Sequence, residues 1–202
     1  MIRCNVTADG TVSRGAERKT DRDGRPFITF AVAVPVKNGT GTGLIDISVI
    51  ANGEDPSSLF IIPETKIKVC GTLTFRKRDE TLYCNLSADT VDLSPDDADG
   101  IAGVMQFRGT LGKNDIIRKQ GKRGLYLLFN GYSSEKVGDD RYAYTWVHFA
   151  DFSGDDYPWL CPKAGIDAEG TLELSLYDGK VNVRCRTTSL SPWEKQNHYG
   201  GR

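Results

Sequence analysis

The sequence predicts an all-β protein made of two small five-stranded β-barrels in tandem. The chain has 202 residues, and its 22 glycines are spread between short apolar runs. Frequent turns between such runs are typical of strands. Hydrophobic residues make up 39% of the chain and charged residues 26%, which is enough apolar material for packed cores. An internal repeat divides the chain into two similar halves and therefore predicts two barrels.

The repeat is clearest at the end of each half. Residues 71–95 and 170–192 both begin with Gly-Thr-Leu and both end with Leu-Ser-Pro. Each copy contains two strand-like runs around a polar turn, at residues 72–76 and 81–86 in the first copy and at 171–177 and 180–186 in the second. The second turn is Asp178-Gly179, a dipeptide that favours a tight β-hairpin. Such internal similarity indicates a repeated structural unit.

The openings of the two halves are also alike. Residues 4–36 give a strand, a basic loop at 14–25 and an apolar run at 27–34, and residues 105–133 repeat this order with a basic loop at 113–123. A third strand follows at 44–51 and at 142–152, and then a short segment for which a helix is one option, at 56–63 and 156–163. Five strands per half suit a closed barrel, because closure removes exposed strand edges. A single two-sheet sandwich is the rival architecture, and the repeated ending argues against it.

These patterns predict the domain boundaries. We expect a first domain at residues 1–98 and a more diverged second domain at 103–195. The acidic junction at residues 96–100 is expected to be a flexible linker, and the polar tail at 196–202 is expected to fray.

Charge and cysteine usage limit the class of protein. The net charge is −1, so any nucleic-acid binding must depend on local basic patches. The five cysteines form no CxxC pair and the two histidines lie far apart. This spacing does not suit zinc, so we expect reduced, mostly buried thiols and neither a metal nor another cofactor. The sequence shows no charged leader before an apolar stretch and no membrane-length apolar run, so a soluble, cytoplasmic protein is expected.

The sequence also argues against an enzyme. It contains no Walker loop, GxGxxG, GxSxG or HExxH motif, which are the short patterns that most directly indicate catalysis. The pairs Asp139-Asp140 and Asp155-Asp156 lie in polar segments with nearby glycines, where turn formation is the simpler explanation.

Several stretches of the first half resemble the bacterial-type single-stranded DNA-binding protein (SSB) family. They are residues 5–34, including Gly24-Arg25-Pro26 before an apolar strand, residues 44–47, and residues 71–76 together with Tyr83. The resemblance implies two tandem five-stranded OB-fold barrels that bind single-stranded DNA independently of sequence, in replication, recombination or repair, with association with the nucleoid. Four OB folds per particle are usual in this family, so it also implies a homodimer. The family's acidic C-terminal tip is not present here, so recruitment of partners through such a tip is not implied.

The second half resembles the family more weakly. It retains residues 109–112 in its first strand and 169–172 in its fourth. Its third strand carries Trp146 and, six residues later, Phe152, a spacing similar to that of the Trp and Phe that the family presents to DNA bases. The third strand of the first half contains no aromatic residue, so stacking at that position is not implied there.

Single-strand binding needs cations for the phosphates and aromatic faces for the bases. The candidate phosphate contacts are Arg14, Arg18, Lys19, Arg25, Arg76, Lys77, Arg78, Lys113, Arg118, Lys119, Lys122 and Arg123. The basic loops and the hairpin of the first half flank the binding face in an OB fold, so we expect them to converge on one groove. A simple solvated loop is the alternative.

The candidate stacking residues are Phe27, Phe75, Tyr142, Tyr144, Trp146 and Phe152. Strand alternation places Tyr142, Tyr144 and Trp146 on one face. That face is either an exposed platform or part of the core, since a barrel must also fill its interior. Phe27 and Phe30 lie on opposite faces of their strand, and we favour Phe27 as the exposed one.

Two other functions stay open at this stage. The barrels are also suited to a protein-interaction adaptor of a primosome or recombination complex, or to an oligosaccharide binder. Single-stranded RNA is an alternative to DNA as the ligand. Steep salt dependence of binding distinguishes phosphate recognition from the other two functions.

Overall fold

The structure is a computed structural model that describes residues 1–53, 59–93, 99–114, 116–122, 124–139 and 141–194. In these ranges the regular elements are eleven strands, and no helix long and apolar enough to cross a membrane occurs. The strands are β1 (Ile2–Thr20), β2 (Pro26–Asn38), β3 (Gly41–Asn52), β4 (Lys66–Arg78), β5 (Thr81–Asp92), β6 (Gly100–Leu111), β7 (Ile117–Gly121), β8 (Gly124–Gly138), β9 (Arg141–Asp151), β10 (Gly165–Tyr177) and β11 (Lys180–Pro192).

The first five strands close into a barrel. Strand β1 pairs with β2 and with β4, β2 pairs with β3, β3 runs parallel to β5, and β5 pairs with β4. Alternation sets the inner face, because Ile45, Ile47 and Val49 are buried while Asp46 between them is exposed. The barrel is therefore filled by alternate side chains of each strand.

The second barrel repeats this connectivity. Strand β6 takes the place of β1 and pairs with β8 and β10, β8 pairs with β9, β9 runs parallel to β11, and β11 pairs with β10. Strand β7 pairs only with β8 and extends the sheet outside the closed ring. Two tandem five-stranded barrels with the OB arrangement are thus confirmed. The Asp178-Gly179 turn is also as predicted, with φ of 50° and 69°.

Parts of both basic segments are strands where the sequence predicted loops, in β1 up to Thr20 and in β7. Strand β1 continues through the first basic segment, and Thr20 still pairs with Pro26. The actual turn is short, and Asp21 Oδ1 accepts backbone hydrogen bonds from Asp23 and Arg25 at 2.9 and 2.8 Å. The sequence prediction was wrong because charged side chains are compatible with a strand whose two faces both meet water, and backbone pairing then decides the conformation.

The helix considered for the segments after each third strand does not form where the structure describes it. Residues 156–163 form an irregular segment with turns at 158–159 and 162–163. Pro158 and Pro162 each remove a backbone donor from this stretch, which disfavours a helix interior. Leu160 is buried and Trp159 packs against the core, so the segment still covers the barrel. In the first half, residues 56–58 lie outside the described residues, Leu59 and Phe60 have only a short 3₁₀ conformation, and a turn begins at Pro63.

The two barrels share one continuous sheet, which the sequence did not predict. Strands β1 and β6 pair antiparallel from Ile2 opposite Phe107 to Asp9 opposite Gly100. Gly103 is required at this junction, since a Cβ there would lie 2.2 Å from the backbone oxygen of Asn5. The strand pairing fixes the second barrel against the first.

The expected flexible linker is ordered at its end. Residues 96–98 lie outside the described residues, but Gly100 already belongs to β6. Lys66 Nζ donates to Asp99 Oδ1 at 2.6 Å. This contact ties the junction to β4, so the start of the second barrel is anchored rather than loose.

The cores contain three of the cysteines. All five are free thiols, and Cys4, Cys84 and Cys185 are buried. Burial is the main cause that raises the pKa of each of these three thiols to about 12. A thiol with so high a pKa stays protonated at neutral pH and is a weak nucleophile.

Candidate nucleic-acid interface

Strand β9 presents a row of aromatic side chains on its outer face. Tyr142 is 53% exposed, Tyr144 and Trp146 are each 46% exposed, and Phe152, just after the strand, is 52% exposed. The inner face of the strand includes the buried Val147 and Phe149. Of the two alternatives left by the sequence, the structure therefore places these rings on the surface and not in the core. We call Tyr142, Tyr144, Trp146 and Phe152 the aromatic row.

Neighbouring rings support the aromatic row. Tyr132 on β8 lies 5.0 Å from the Trp146 ring and 5.4 Å from the Tyr144 ring. Tyr126 stacks on Phe152 with centroids 5.5 Å apart. Three of the four rings of the aromatic row thus pack against neighbouring rings, which restricts their rotation.

A groove of about 690 Å³ separates Trp146 from Phe152. The guanidinium of Arg186 lies 4.9 Å from the centre of the Phe152 ring. Lys113 and Arg184 also line the groove. The groove thus has aromatic walls and several cations, which is the combination that single-stranded nucleic acids require.

The floor of this groove is a polar row that crosses four strands. Glu173 on β10 is paired with Arg184 on β11, Arg184 with His148 on β9, and His148 with Asn130 on β8. All four line the groove. We call them the polar row.

His148 is neutral at neutral pH. Burial, and secondly the charge of Arg184, lower the pKa of its imidazole from the ordinary value of 6.5. Its Nδ1 lies 2.6 Å from Asn130 Oδ1, so the Nδ1 proton is donated to the amide oxygen. The other ring nitrogen, Nε2, is then left as an acceptor.

The basic hairpin of the first barrel lies against the aromatic row of the second. Arg76 and Arg78, from the β4–β5 hairpin, line a cleft of about 670 Å³ together with Tyr142, Tyr144 and Trp146. Lys77 and Arg141 line the same cleft. The structure thus brings together two sets of predicted residues that are far apart in sequence. We call the groove, the aromatic row and this hairpin the composite surface.

A further cleft extends this surface over the first barrel. It is lined by Arg3, Arg76, Arg78 and Tyr83. The Arg78 guanidinium lies 6.0 Å from the centre of the Tyr83 ring, which is exposed. The hairpin can therefore offer both a cation and an aromatic face.

Phe75, which the sequence predicted to contact bases, lines the cleft beside Arg76 and Arg78, but little of its ring reaches the surface. Its side chain is only 9% exposed and belongs to the core of the first barrel. The reason is the alternation of β4, where Leu73 and Phe75 point inward while Arg76 points to solvent. Phe27 is partly exposed whereas Phe30 is fully buried, as expected from their opposite faces.

Most residues of the two basic segments do not line the grooves described above. Lys113 does, but Arg14, Arg18, Lys19, Arg25, Arg118, Lys119 and Lys122 do not, and Arg123 lies outside the described residues. Three of them are engaged in surface ion pairs: Lys19 with Glu17 at 3.3 Å, Arg25 with Asp23 at 3.8 Å and Arg118 with Asp156 at 3.0 Å. The expected convergence of these segments on one groove is not seen.

The corresponding face of the first barrel is different. The outward positions of β3 include the exposed Leu44, Asp46 and Ile50. Ser13 donates to Asp46 Oδ1 at 2.7 Å. The outward positions of β3 thus carry no aromatic ring, so most exposed rings of the composite surface belong to the second barrel.

Sequence reasoning missed Tyr126, Tyr132, His148, Glu173, Arg184 and Arg186. Alternation along β11 was the available signal, since Val183 and Cys185 are buried and the arginines between and after them must point outward. Their position beside β9 follows only from the parallel β9–β11 pairing, which a sequence does not reveal.

Among the described residues, no group of three His, Cys, Asp or Glu side chains lies close enough to hold a metal ion. Asp156 is used in the ion pair with Arg118, and the backbone NH of Asp155 donates to Ser153 Oγ at 3.1 Å. These contacts tie Asp155 and Asp156, in the loop after β9, to neighbouring residues.

No protein-family model and no curated protein matches the sequence. Among solved structures, wild-type single-stranded DNA binding protein from Thermus aquaticus is similar over 100% of this chain and 97% of its own, with 13% identity and a TM-score of 0.50. The small single-stranded DNA-binding protein from Streptomyces coelicolor covers 46% of this chain and 92% of its own, with 20% identity and a TM-score of 0.37. The N-terminal domain of PriB from Thermoanaerobacter tencongensis covers 46% of this chain and 98% of its own, with 19% identity and a TM-score of 0.33. At this identity, the full-length likeness to the Thermus protein shows that the two chains share a fold.

Proposed function

We propose that this protein binds single-stranded DNA through the composite surface. The observation that carries the proposal is the exposed aromatic row of β9, which lies between the cations of its own groove and those of the first barrel's hairpin. A row of exposed rings fills no core, and exposed apolar surface of this kind commonly marks a binding site. Base stacking gives it a purpose.

The energetics suit a flexible strand better than a duplex. Each base stacked on an aromatic ring contributes roughly 1–3 kcal/mol, whatever the base. Duplex bases are already stacked on each other and hide their faces. The net charge of −1 gives no general attraction to nucleic acid, so binding depends on local cations such as Arg76, Arg78 and Arg186.

The wider role follows from the shared fold and stays a proposal. The similar Thermus structure is described as a single-stranded DNA-binding protein, which supports the same ligand here. We propose a part in DNA replication, recombination or repair, without catalysis, and assembly into a homodimer with four OB folds. The units would be residues 1–98 and 103–195. Light scattering of the purified protein tests the dimer directly.

The binding test uses fluorescence anisotropy with labelled dT oligomers of increasing length, at low and at moderate salt. We expect tight binding that strengthens with length, weakens with salt and ignores duplex DNA. Labelled oligo(U) in the same assay compares RNA with DNA. Trp146→Ala should weaken binding about tenfold, which corresponds to one lost stacking contact.

The control is Tyr177→Ala. Tyr177 is also a strongly exposed aromatic residue, but it lies at the end of β10 and lines none of the grooves described above. It should leave affinity unchanged. Absence of binding to any oligomer at low salt would falsify the proposed function.

A protein-interaction adaptor is the second candidate. The observation that favours it is a set of exposed apolar side chains, Leu59, Phe60 and Ile62, on the first barrel. Exposed apolar clusters on soluble proteins commonly mark interaction sites. This function predicts complexes that are insensitive to salt and are lost in a Phe60→Ser variant that still binds the dT oligomers as the wild type does.

A further inference from the structure

We propose that the groove between Trp146 and Phe152 prefers guanine at one position of the bound strand. This inference rests on the proposed function and adds a base preference to otherwise sequence-tolerant binding. Its basis is the polar row, which puts hydrogen-bonding groups on the floor of a groove whose walls are aromatic. A base held between such walls directs its polar edge to the floor.

The chemistry of Glu173 is the first step. A carboxylate in a groove for a polyanion repels phosphates, so a purely phosphate-binding groove would be better without it. Glu173 lines the groove and is exposed. The ion pairs of the described residues do not include it. Its oxygens are therefore available to accept hydrogen bonds from a ligand that carries N–H groups.

Arg184 supplies the complementary group. It is the direct cross-strand partner of Glu173, so the two side chains start from backbone positions about 5 Å apart. The described ion pairs do not include Arg184 either. A bidentate donor and a bidentate acceptor thus stand side by side on the groove floor.

Guanine is the base that satisfies both groups. An arginine guanidinium donates two hydrogen bonds to its O6 and N7 atoms, the commonest specific contact to a base. An unpaired guanine also exposes its Watson–Crick edge, where N1–H and the N2 amino group are adjacent donors for one carboxylate. Adenine, cytosine and thymine each lack either the pair of acceptors or the pair of donors, so each leaves one group half satisfied.

The test compares oligomers of equal length that contain one dG, dA, dC, inosine or 7-deazaguanine in a dT background. We expect dG to bind about tenfold more tightly than dT alone, the gain from one good bidentate pair. Inosine lacks the N2 amino group and 7-deazaguanine lacks N7, so each should lose much of that gain. Equal affinity for all oligomers would overturn the inference while leaving single-strand binding intact, whereas failure to bind any of them would refute both.

Two variants separate base contact from general electrostatics. Glu173→Gln should bring the ratio of dG to dT affinity to about one, whereas a role in mere repulsion would raise affinity for all oligomers equally and leave that ratio unchanged. Arg184→Lys keeps the charge but not the bidentate geometry, so it too should bring the ratio of dG to dT affinity to about one. Glu169→Gln is the matched control, an exposed carboxylate on the same strand that does not line the groove. It should behave as the wild type.

Discussion

The basic hairpin of the first barrel offers the sharpest test of the composite surface. Arg76 and Arg78 line a cleft with the aromatic row of the second barrel, so a strand stacked on those rings passes beside both guanidiniums. Each phosphate contact on a single strand contributes about −0.7 to the slope of log affinity against log salt. Replacing both arginines by alanine should therefore make this slope shallower by about 1.4.

The assay is anisotropy at several salt concentrations with a short and a long dT oligomer. A strand of about five nucleotides fills the groove of the second barrel only, and one of about twenty spans both barrels. The change in slope should appear with the long strand and be small with the short one. Length dependence thus separates a contact made along the strand from a general loss of charge.

The matched control is the pair Arg14→Ala and Arg18→Ala. These are also two exposed cations of the first barrel, and the sequence predicted them as phosphate contacts, but they line none of the three grooves. The control should leave the slope unchanged. If instead the control changes the slope and the Arg76/Arg78 variant does not, the reasoning from the composite surface is refuted.

Three further predictions concern stability and the division between core and surface. The pKa of His148 is lowered in the folded protein, so below about pH 6.5 the unfolded chain binds more protons than the folded one. The free energy of unfolding measured in urea should therefore fall as the pH drops through this range. The fall should be smaller for His148→Gln. Gly103→Ala should lower the free energy of unfolding by more than about 2 kcal/mol, because the added Cβ collides with backbone. Gly41→Ala should leave the free energy of unfolding nearly unchanged in the same urea experiment, because a Cβ there lies 3.7 Å from its nearest neighbouring atom. Phe75→Ala should cost about 3–5 kcal/mol of stability, whereas Tyr83→Ala should lower oligomer affinity with little change in the urea midpoint.

The architecture was largely predictable from the sequence. Recurrent Gly-Thr-Leu and Leu-Ser-Pro segments located both hairpins, and alternation placed Tyr142, Tyr144 and Trp146 on one face. These signals are local, since a hairpin and a pleat depend on neighbours in sequence. Phe75 shows the limit of such reasoning, because only its burial within β4 reveals which of two faces meets solvent.

The site was less predictable because it depends on pairings between distant strands. Arg184 faces His148 only because β11 runs parallel to β9, and Arg76 meets Tyr142 only because the barrels are joined through β1 and β6. Neither strand pairing can be predicted from the composition of the chain or from the spacing of its residues. Charge alone misled, since the dense basic segments line little of the surface while isolated arginines on β11 line the groove.

The joined barrels explain how one of them can lack a stacking strand. The outward positions of β3 carry Leu44, Asp46 and Ile50 in place of aromatic rings. An isolated first barrel would therefore bind bases only weakly. Paired through β1 and β6, its β4–β5 hairpin instead contributes cations to the rings of the second barrel. Under the proposed function, two half-sites held rigidly would act on one strand at high effective concentration. The Gly103→Ala variant should therefore weaken oligomer binding as well as folding, because it disturbs the junction that sets the distance between them.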